Sequence, residues 1–480
     1  MNTNLKSILL LGALCSAPLK SLERACICAL LLCVSALNVF AASIDITQDT
    51  AESGKSYDDS DTITRSALNV TTSGVTYTGT NIPLSATNNG AVDNPIGRGA
   101  YIDNGAVLSL TGGSITTSGS YGHGVSLTNA GSGTLNNVNI QSGGNQSYGV
   151  NVNNATLLMT GGSISTSGSG GRGLSIAGSN DATVNNVNIE TTGNNGYGVV
   201  TGSSVFTLTG GNISTSGSAT RGINIGGFSS GTVSNVNIET TGNNSDGVYL
   251  AANSTVTLTD SDIRVTGSGA FGLNVSATSN ATVNLNGNIL SSASAGVSIR
   301  VATSGSVTLT GSNGSVITGG IDSGDKTFVN ITLTDAGTEL HGDFRQFSTN
   351  SVVNLTLGAG ALLHGGGELD SLTLASGAII GFTDTLLVTD SITIGDGIII
   401  DFSSLTETGE YTVFDWSGAT GGDSINAGRF NVAADTGIEG TFSVENNQLT
   451  FNATAVPEPS TWFLIGVGLG ALALIRRRSS

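Results

Sequence analysis

A chain of 480 residues with 70 Gly, 10% charged and 5% aromatic side chains departs from the globular average toward repeated turns and strands, and argues against a helical protein. The formal charge is −18, and setting aside residues 1–41 and 456–480 leaves 10 basic against 32 acidic side chains, a balance of −22 for the body. Such a surface repels phosphate backbones and anionic headgroups, which excludes nucleic acid and lipid surfaces as natural partners of the body.

The N-terminus reads as a leader. Lys6, Lys20 and Arg24 precede an apolar run from Ala25 to Leu37, followed by Val39-Phe40-Ala41, with small residues where signal peptidase needs them. Residues 1–41 are expected to be a signal peptide removed after Ala41, so the chain engages the secretion machinery; the rival reading is an uncleaved membrane anchor or a start codon called too early. All four cysteines (Cys15, Cys26, Cys28, Cys33) fall inside this leader, so disulfides cannot hold the body together.

Residues 42–98 are read as an N-terminal cap with the first strands, and residues 99–319 as a ladder. Glycines at 99, 124, 149, 173, 198, 222, 247, 272 and 296 recur at a spacing of about 24 to 25 residues. The third residue after each is apolar in eight of nine rungs, from Ile102 and Leu127 to Val275 and Ile299, with Thr201 the exception. A second column of isoleucines runs through 115, 140, 164, 189, 213, 238, 263 and 289. Gly, Ser, Asn and Thr clusters between the columns read as turns, so each rung holds about three short strands. No single rung can bury its aliphatic face. The expected fold is therefore an all-β, right-handed parallel β-helix of up to about 16 rungs, its isoleucines stacked inside. The segments LTGGSI (110–115), MTGGSI (159–164) and LTGGNI (208–213) recur on every second rung, so the duplicated unit is a pair of rungs. Residues 320–455 read as a less regular continuation. Its end, from Tyr411 to Phe451 with Trp416, is expected to close the open strand edges. In repeat style the body resembles autotransporter passenger regions and the pectin-lyase-like fold.

The segment 456–480 changes character. Val456 leads into Pro457-Glu458-Pro459-Ser460-Thr461, then an apolar run from Trp462, Phe463, Leu464 and Ile465 to Ile475, then Arg476, Arg477 and Arg478. Fourteen apolar residues rise about 21 Å as a helix, a short transmembrane span, with the arginines held on the cytoplasmic side. A Pro-Glu-Pro motif, a short apolar helix and a basic cluster in this order resemble the PEP-CTERM sorting signal. The resemblance implies that a membrane-embedded exosortase is a partner, acting near Pro457–Pro459. It also implies passage through the inner membrane to the cell surface, outer membrane or extracellular matrix of a Gram-negative-type bacterium that makes exopolysaccharide.

Residues that could carry chemistry are sparse, and no cofactor or metal is expected. Gly122-His123-Gly124 looks like the Gly-His-Gly motif of polygalacturonases, yet the paired carboxylates needed at a glycosidic bond are not visible nearby, and an outward turn residue is the simpler account of His123. His341 and His364 lie about one rung apart without a third zinc ligand, and Asp58, Asp59 and Asp61 read as a solvated turn. One outward column stands out. Tyr148, Arg172, Tyr197 and Arg221 each precede a rung glycine, and stacked they form a ridge able to bind sugar rings or acidic glycans, against the plainer account of side chains stacking along a turn. The expectation is a non-enzymatic, adhesin-like surface or matrix protein associated with exopolysaccharide or biofilm; the alternative is a polysaccharide lyase or hydrolase.

Overall fold

The computed structural model describes residues 41–58, 66–89, 97–178, 181–251, 253–276, 278–292, 297–346, 350–434 and 436–456. Within them the chain winds into an all-β parallel solenoid of about 14 turns, each laying a strand on each of three faces. One turn shows the pattern. Tyr197–Gly202 lies on the first face, Val205–Thr209 on the second and Asn212–Thr215 on the third. Each pairs in parallel with its equivalent one turn on: Arg221–Ile225, Ser230–Ser234 and Asn237–Thr240.

Period-2 alternation puts one set of side chains inside. The isoleucine column forms as expected from 115 to 263, each pairing with the next, and all seven are buried. The eighth position is a correction: Ile263 pairs with Leu290, which is fully buried, while Ile289 pairs with Val316 and is only half-buried. The glycine-led column slips at the same rung, because Leu273 pairs with Ile299 and Val275 with Val301, two positions beyond the partners that the glycine spacing predicts. Val301, not Ile299, continues the column that begins with Ile102. Each buried aliphatic side chain contributes about 1.5 to 3 kcal/mol, against an ordering cost of about 1 to 2 kcal/mol per residue, so the stack holds only collectively.

The two-rung repeat has a steric cause at one corner. Asn137 (φ 52°) and Asn186 (φ 54°) turn there in the left-handed region, and the rungs that follow turn on Gly161-Gly162 and Gly210-Gly211. A Cβ on Gly161 would lie 2.2 Å from Oδ1 of Asn137, and one on Gly210 would lie 2.2 Å from Oδ1 of Asn186. The amide of one rung occupies the space that the next leaves open. Another corner carries buried hydroxyls: Thr117 and Ser142 lie 2.8 Å apart, and Thr166 donates to Thr191 at 3.1 Å.

Parallel pairing already includes Ile44–Ile46 with Leu68–Val70, and those with Ala100–Ile102, so residues before 99 contribute rungs of their own. Past residue 320 the turns shorten, and Leu355 pairs with Leu372, well short of an ordinary rung further along the chain. The ladder ends on antiparallel strands: Gln448–Ala455 lies between Gly409–Asp415 and Glu439–Glu445. Beneath them Phe402 stacks on Phe451 with centroids 4.2 Å apart, and Trp416 is buried. Ala41 opens the described chain in a two-residue strand paired with Tyr57–Asp58. The rest of the leader, and the tail from Pro457 through the apolar run to Arg478, lie outside the described residues; among those described, no helix is long and apolar enough to cross a membrane.

Candidate binding face

Of the three faces, the first gathers most of the outward aromatic and guanidinium groups, with carboxylates set among them, Asp103 accepting from the Tyr101 hydroxyl at 3.0 Å. Five of its strands begin with the residue before a rung glycine, at Tyr148, Arg172, Tyr197, Arg221 and Asp246. Tyr148 pairs with Arg172, Arg172 with Tyr197, Tyr197 with Arg221, and Arg221 with Asp246. The four ridge residues are thus brought into one column. The guanidinium of Arg172 lies 4.8 Å from the Tyr148 ring centroid and 6.0 Å from that of Tyr197, and that of Arg221 lies 5.7 Å from Tyr197.

His123 corrects the expectation of an outward turn residue. It is buried, stacks on Tyr148 with centroids 4.4 Å apart and planes 12° from parallel, and accepts a hydrogen bond at Nδ1 from the Tyr148 backbone N–H at 3.0 Å. Burial first, then the nearby Arg98 and Arg172 charges, push its pKa down to about 3, so the ring is neutral with its proton on Nε2. With His123 on one side and Arg172 on the other, Tyr148 presents its edge and hydroxyl, and its faces are covered. Sugar stacking on that ring is therefore unavailable. What the column offers outward is guanidinium and phenol hydrogen-bonding edges.

A second outward column, three residues further along each strand, was missed in the sequence. The pairing Val200–Asn224–Tyr249–Asn274–Arg300–Asp322–Arg345 runs along the same face. The signal was present as the residue between the two apolar positions after each rung glycine. The columns are tied together. Arg221 donates from Nη1 to Asn224 at 3.1 Å, and its guanidinium carbon sits 3.5 Å from the Tyr249 centroid. Arg300 lies 5.3 Å from the Phe271 ring, and Arg98, its charge disfavoured by burial, lies 5.0 Å from Tyr101 and donates to Ser126.

Two carboxylates interrupt the cations. Asp246 is buried, which raises its pKa; the Phe271 N–H, the Asn274 amide, and Arg221 and Arg300 pull the other way. Asp322 is raised by burial too, against the pull of Arg345 and Arg300, and its Oδ1 has no hydrogen-bond partner. Phe271, Arg300 and Asp322 edge a hollow of about 340 Å³, and a wider groove of about 650 Å³ follows among Phe344, Arg345, Glu368, Asp384 and Asp415. Burial raises Asp415, but hydrogen bonds from Ser417 and Gln448 outweigh it and hold the acid below the usual carboxylate range. That group is a satisfied anion and no proton donor.

The other sequence candidates lie apart from this face. His341 bonds Glu339 at 2.7 Å and meets His364 edge-on with centroids 5.6 Å apart. Among the described residues no group of three or more His, Cys, Asp or Glu could hold a metal ion; Asp59 and Asp61 lie outside them.

Comparison with known proteins adds an address. The PEP-CTERM protein-sorting motif matches residues 455–478, so the chain carries the signal that marks exosortase substrates for export to the cell surface. No curated protein matches the chain. Among solved structures, a chain in the cryo-EM structure of the Vag8–C1 inhibitor complex is 17% identical, with 75% of this chain and 90% of that one covered and a TM-score of 0.44. The solenoid assignment rests on the strand pairing above and not on that likeness.

Proposed function

We propose that this chain is an adhesin-like rod of the cell surface or extracellular matrix, released by exosortase processing, whose first face holds acidic exopolysaccharide in a biofilm without cleaving it. The observation that carries the reading is charge segregation. Of the body's ten Lys and Arg residues, five (Arg98, Arg172, Arg221, Arg300 and Arg345) stand on one of three faces, in a body whose net charge is −22 with all ten counted. Concentrating scarce cations along one stripe gives a polyanion a place to bind while the remaining surface repels it. Guanidinium groups suit carboxylate and sulfate groups through paired, charge-assisted hydrogen bonds.

The test uses the full-length chain in mild detergent, passed over the exopolysaccharide of its own host, with reducing-sugar release and unsaturated products followed alongside. Retention that is lost at high salt, without product, is the expected result. A flow-through indistinguishable from that of an Arg172→Gln/Arg221→Gln variant would remove the binding role. A second reading, a polysaccharide lyase or hydrolase, is favoured by the groove where Arg345 meets Glu368, Asp384 and Asp415. Product release abolished by Glu368→Gln would establish that reading in place of the first.

A further inference from the structure

Resting on the glycan-binding reading, we propose that the first face binds one extended polysaccharide strand laid along the solenoid axis, and that it selects a chain bearing a negative charge on every second sugar.

The geometry sets the direction. Successive rungs are about 4.8 Å apart, close to the advance of one pyranose ring in an extended β-linked chain, so a strand along the axis meets one rung per sugar. A strand lying across the face would meet only the few outward residues of one or two rungs. The chemistry sets the alternation. Arg172 and Arg221 are separated by a rung whose outward group is Tyr197, and Arg300 and Arg345 by a rung bearing Asp322. Within each stretch the guanidinium groups recur every second rung, and the rung between offers a hydroxyl or a carboxylate; Arg221 and Arg300 stand three rungs apart, so each stretch holds its own segment of strand in register. A neutral sugar hydroxyl fits there and a second carboxylate does not: Tyr197 has a single phenol proton to donate, and Asp322 presents a carboxyl group with no positive charge to pair with an anion.

The arginines are positioned for this use. The Arg172 and Arg221 side chains are half-buried, braced by Ser175 at 3.4 Å and Asn224 at 3.1 Å and by the neighbouring rings, so little side-chain freedom remains to be lost on binding. Because the faces of Tyr148 are covered by His123 and Arg172, recognition falls to hydrogen-bonding edges. Affinity should therefore follow the placement of charge along the glycan more than its hydrophobic surface.

Three linear probes of equal length separate the possibilities: hyaluronan oligosaccharides, with a carboxylate on every second sugar; oligogalacturonates, with one on every sugar; and cello-oligosaccharides, with none. Titrated against the full-length chain, hyaluronan should bind most tightly and cello-oligosaccharides not measurably. Arg172→Gln and Arg221→Gln should each weaken hyaluronan about tenfold or more while leaving the far-UV spectrum unchanged. Tyr197→Arg should turn the preference toward oligogalacturonate, because it places guanidinium groups on three consecutive rungs. Oligogalacturonate bound as tightly as hyaluronan by the unaltered chain, or an unchanged ratio in Tyr197→Arg, overturns the alternation and leaves the glycan-binding reading standing. No binding to either acidic probe by a folded chain overturns both, and equally tight binding of double-stranded DNA would reduce the face to unselective charge.

Discussion

Alanine at Gly198 and at Gly202, in the same strand, should have opposite effects. A Cβ at Gly198 would stand 2.4 Å from Cγ2 of Ile213 and 2.6 Å from the carbonyl oxygen of Gly222. The first neighbour is a β-branched side chain with little rotamer freedom, and the second is the backbone of the next rung. Neither can move without disturbing the stack, so the cost falls at the upper end of the overpacking range, about 3 kcal/mol. A Cβ at Gly202 meets nothing within 4 Å, and alanine there should stabilise by about 0.4–1 kcal/mol through the unfolded chain alone. Urea unfolding of the full-length chain, followed by far-UV circular dichroism, reads the difference; at a slope of about 3 kcal/mol per molar, Gly198→Ala lowers the midpoint by about 1 M. Adding Ile213→Ala relieves the side-chain clash but not the carbonyl one. The double variant should therefore stay less stable than Ile213→Ala by itself. Coincident midpoints for Gly198→Ala and Gly202→Ala would refute the claim that rung glycines exist for backbone approach.

Three further outcomes follow from single sites. Thr201 stands in the interior column between Ile176 and Ile225 with its hydroxyl buried and unpaired, so Thr201→Val should raise stability by about 1 kcal/mol or more; a lower urea midpoint would show that the hydroxyl has a partner. His123, whose pKa falls to about 3 on folding, binds a proton more readily when unfolded, so its contribution is complete above about pH 6.5 and is lost as the pH falls toward 3. His123→Gln should flatten that part of the acid limb, and an unaltered acid midpoint would show that the ring is protonated in the fold. Alanine at Pro457, Glu458 and Pro459 should leave the chain at its unprocessed size in the membrane fraction, and normal processing would remove the sorting role of the motif.

The ladder was legible because its cause is a period. Aliphatic side chains set one rung apart must meet once the chain coils, and the columns through Ile102 and Ile115 form accordingly. Legibility failed where residues were inserted: near Gly296 the spacing suggests an unbroken pattern, yet Val275 pairs with Val301 and Ile263 with Leu290, each displaced past the partner that the period points to. Composition offers no cue there, since an isoleucine stands one or two positions from each true core residue. The ridge was legible as a column and not as a surface. Spacing brings Tyr148 and Arg172 together, but only the stacking of His123 on Tyr148 shows which ring faces are covered. Asp322 and Arg345 lay hidden because the rungs beyond residue 320 shorten and the glycine marker is gone.

Duplication explains part of the binding face and leaves the rest in need of another cause. Tyr148 and Tyr197 stand two rungs apart and share rungs with the Gly-Gly corners, while Arg172 and Arg221, also two rungs apart, share rungs with the Asn-Val corners at 186 and 235. The corner alternation ends where Asn235 is followed by Asp260, also at positive φ, in place of a Gly-Gly pair. The Tyr/Arg alternation ends on the next rungs, at Asp246 and Phe271. Copying a two-rung unit is therefore enough to generate the alternation from Tyr148 to Arg221. It does not account for Arg300 and Arg345, which lie beyond the copied stretch in the second outward column, nor for Arg98, which stands on the first Gly-Gly rung where the later copies have Tyr148 and Tyr197. Arg300 and Arg345 reached the same face from rungs of different length and sequence, and in a body where acidic residues outnumber basic ones by 32 to 10, their return to one stripe is the feature that a binding role explains and repetition does not.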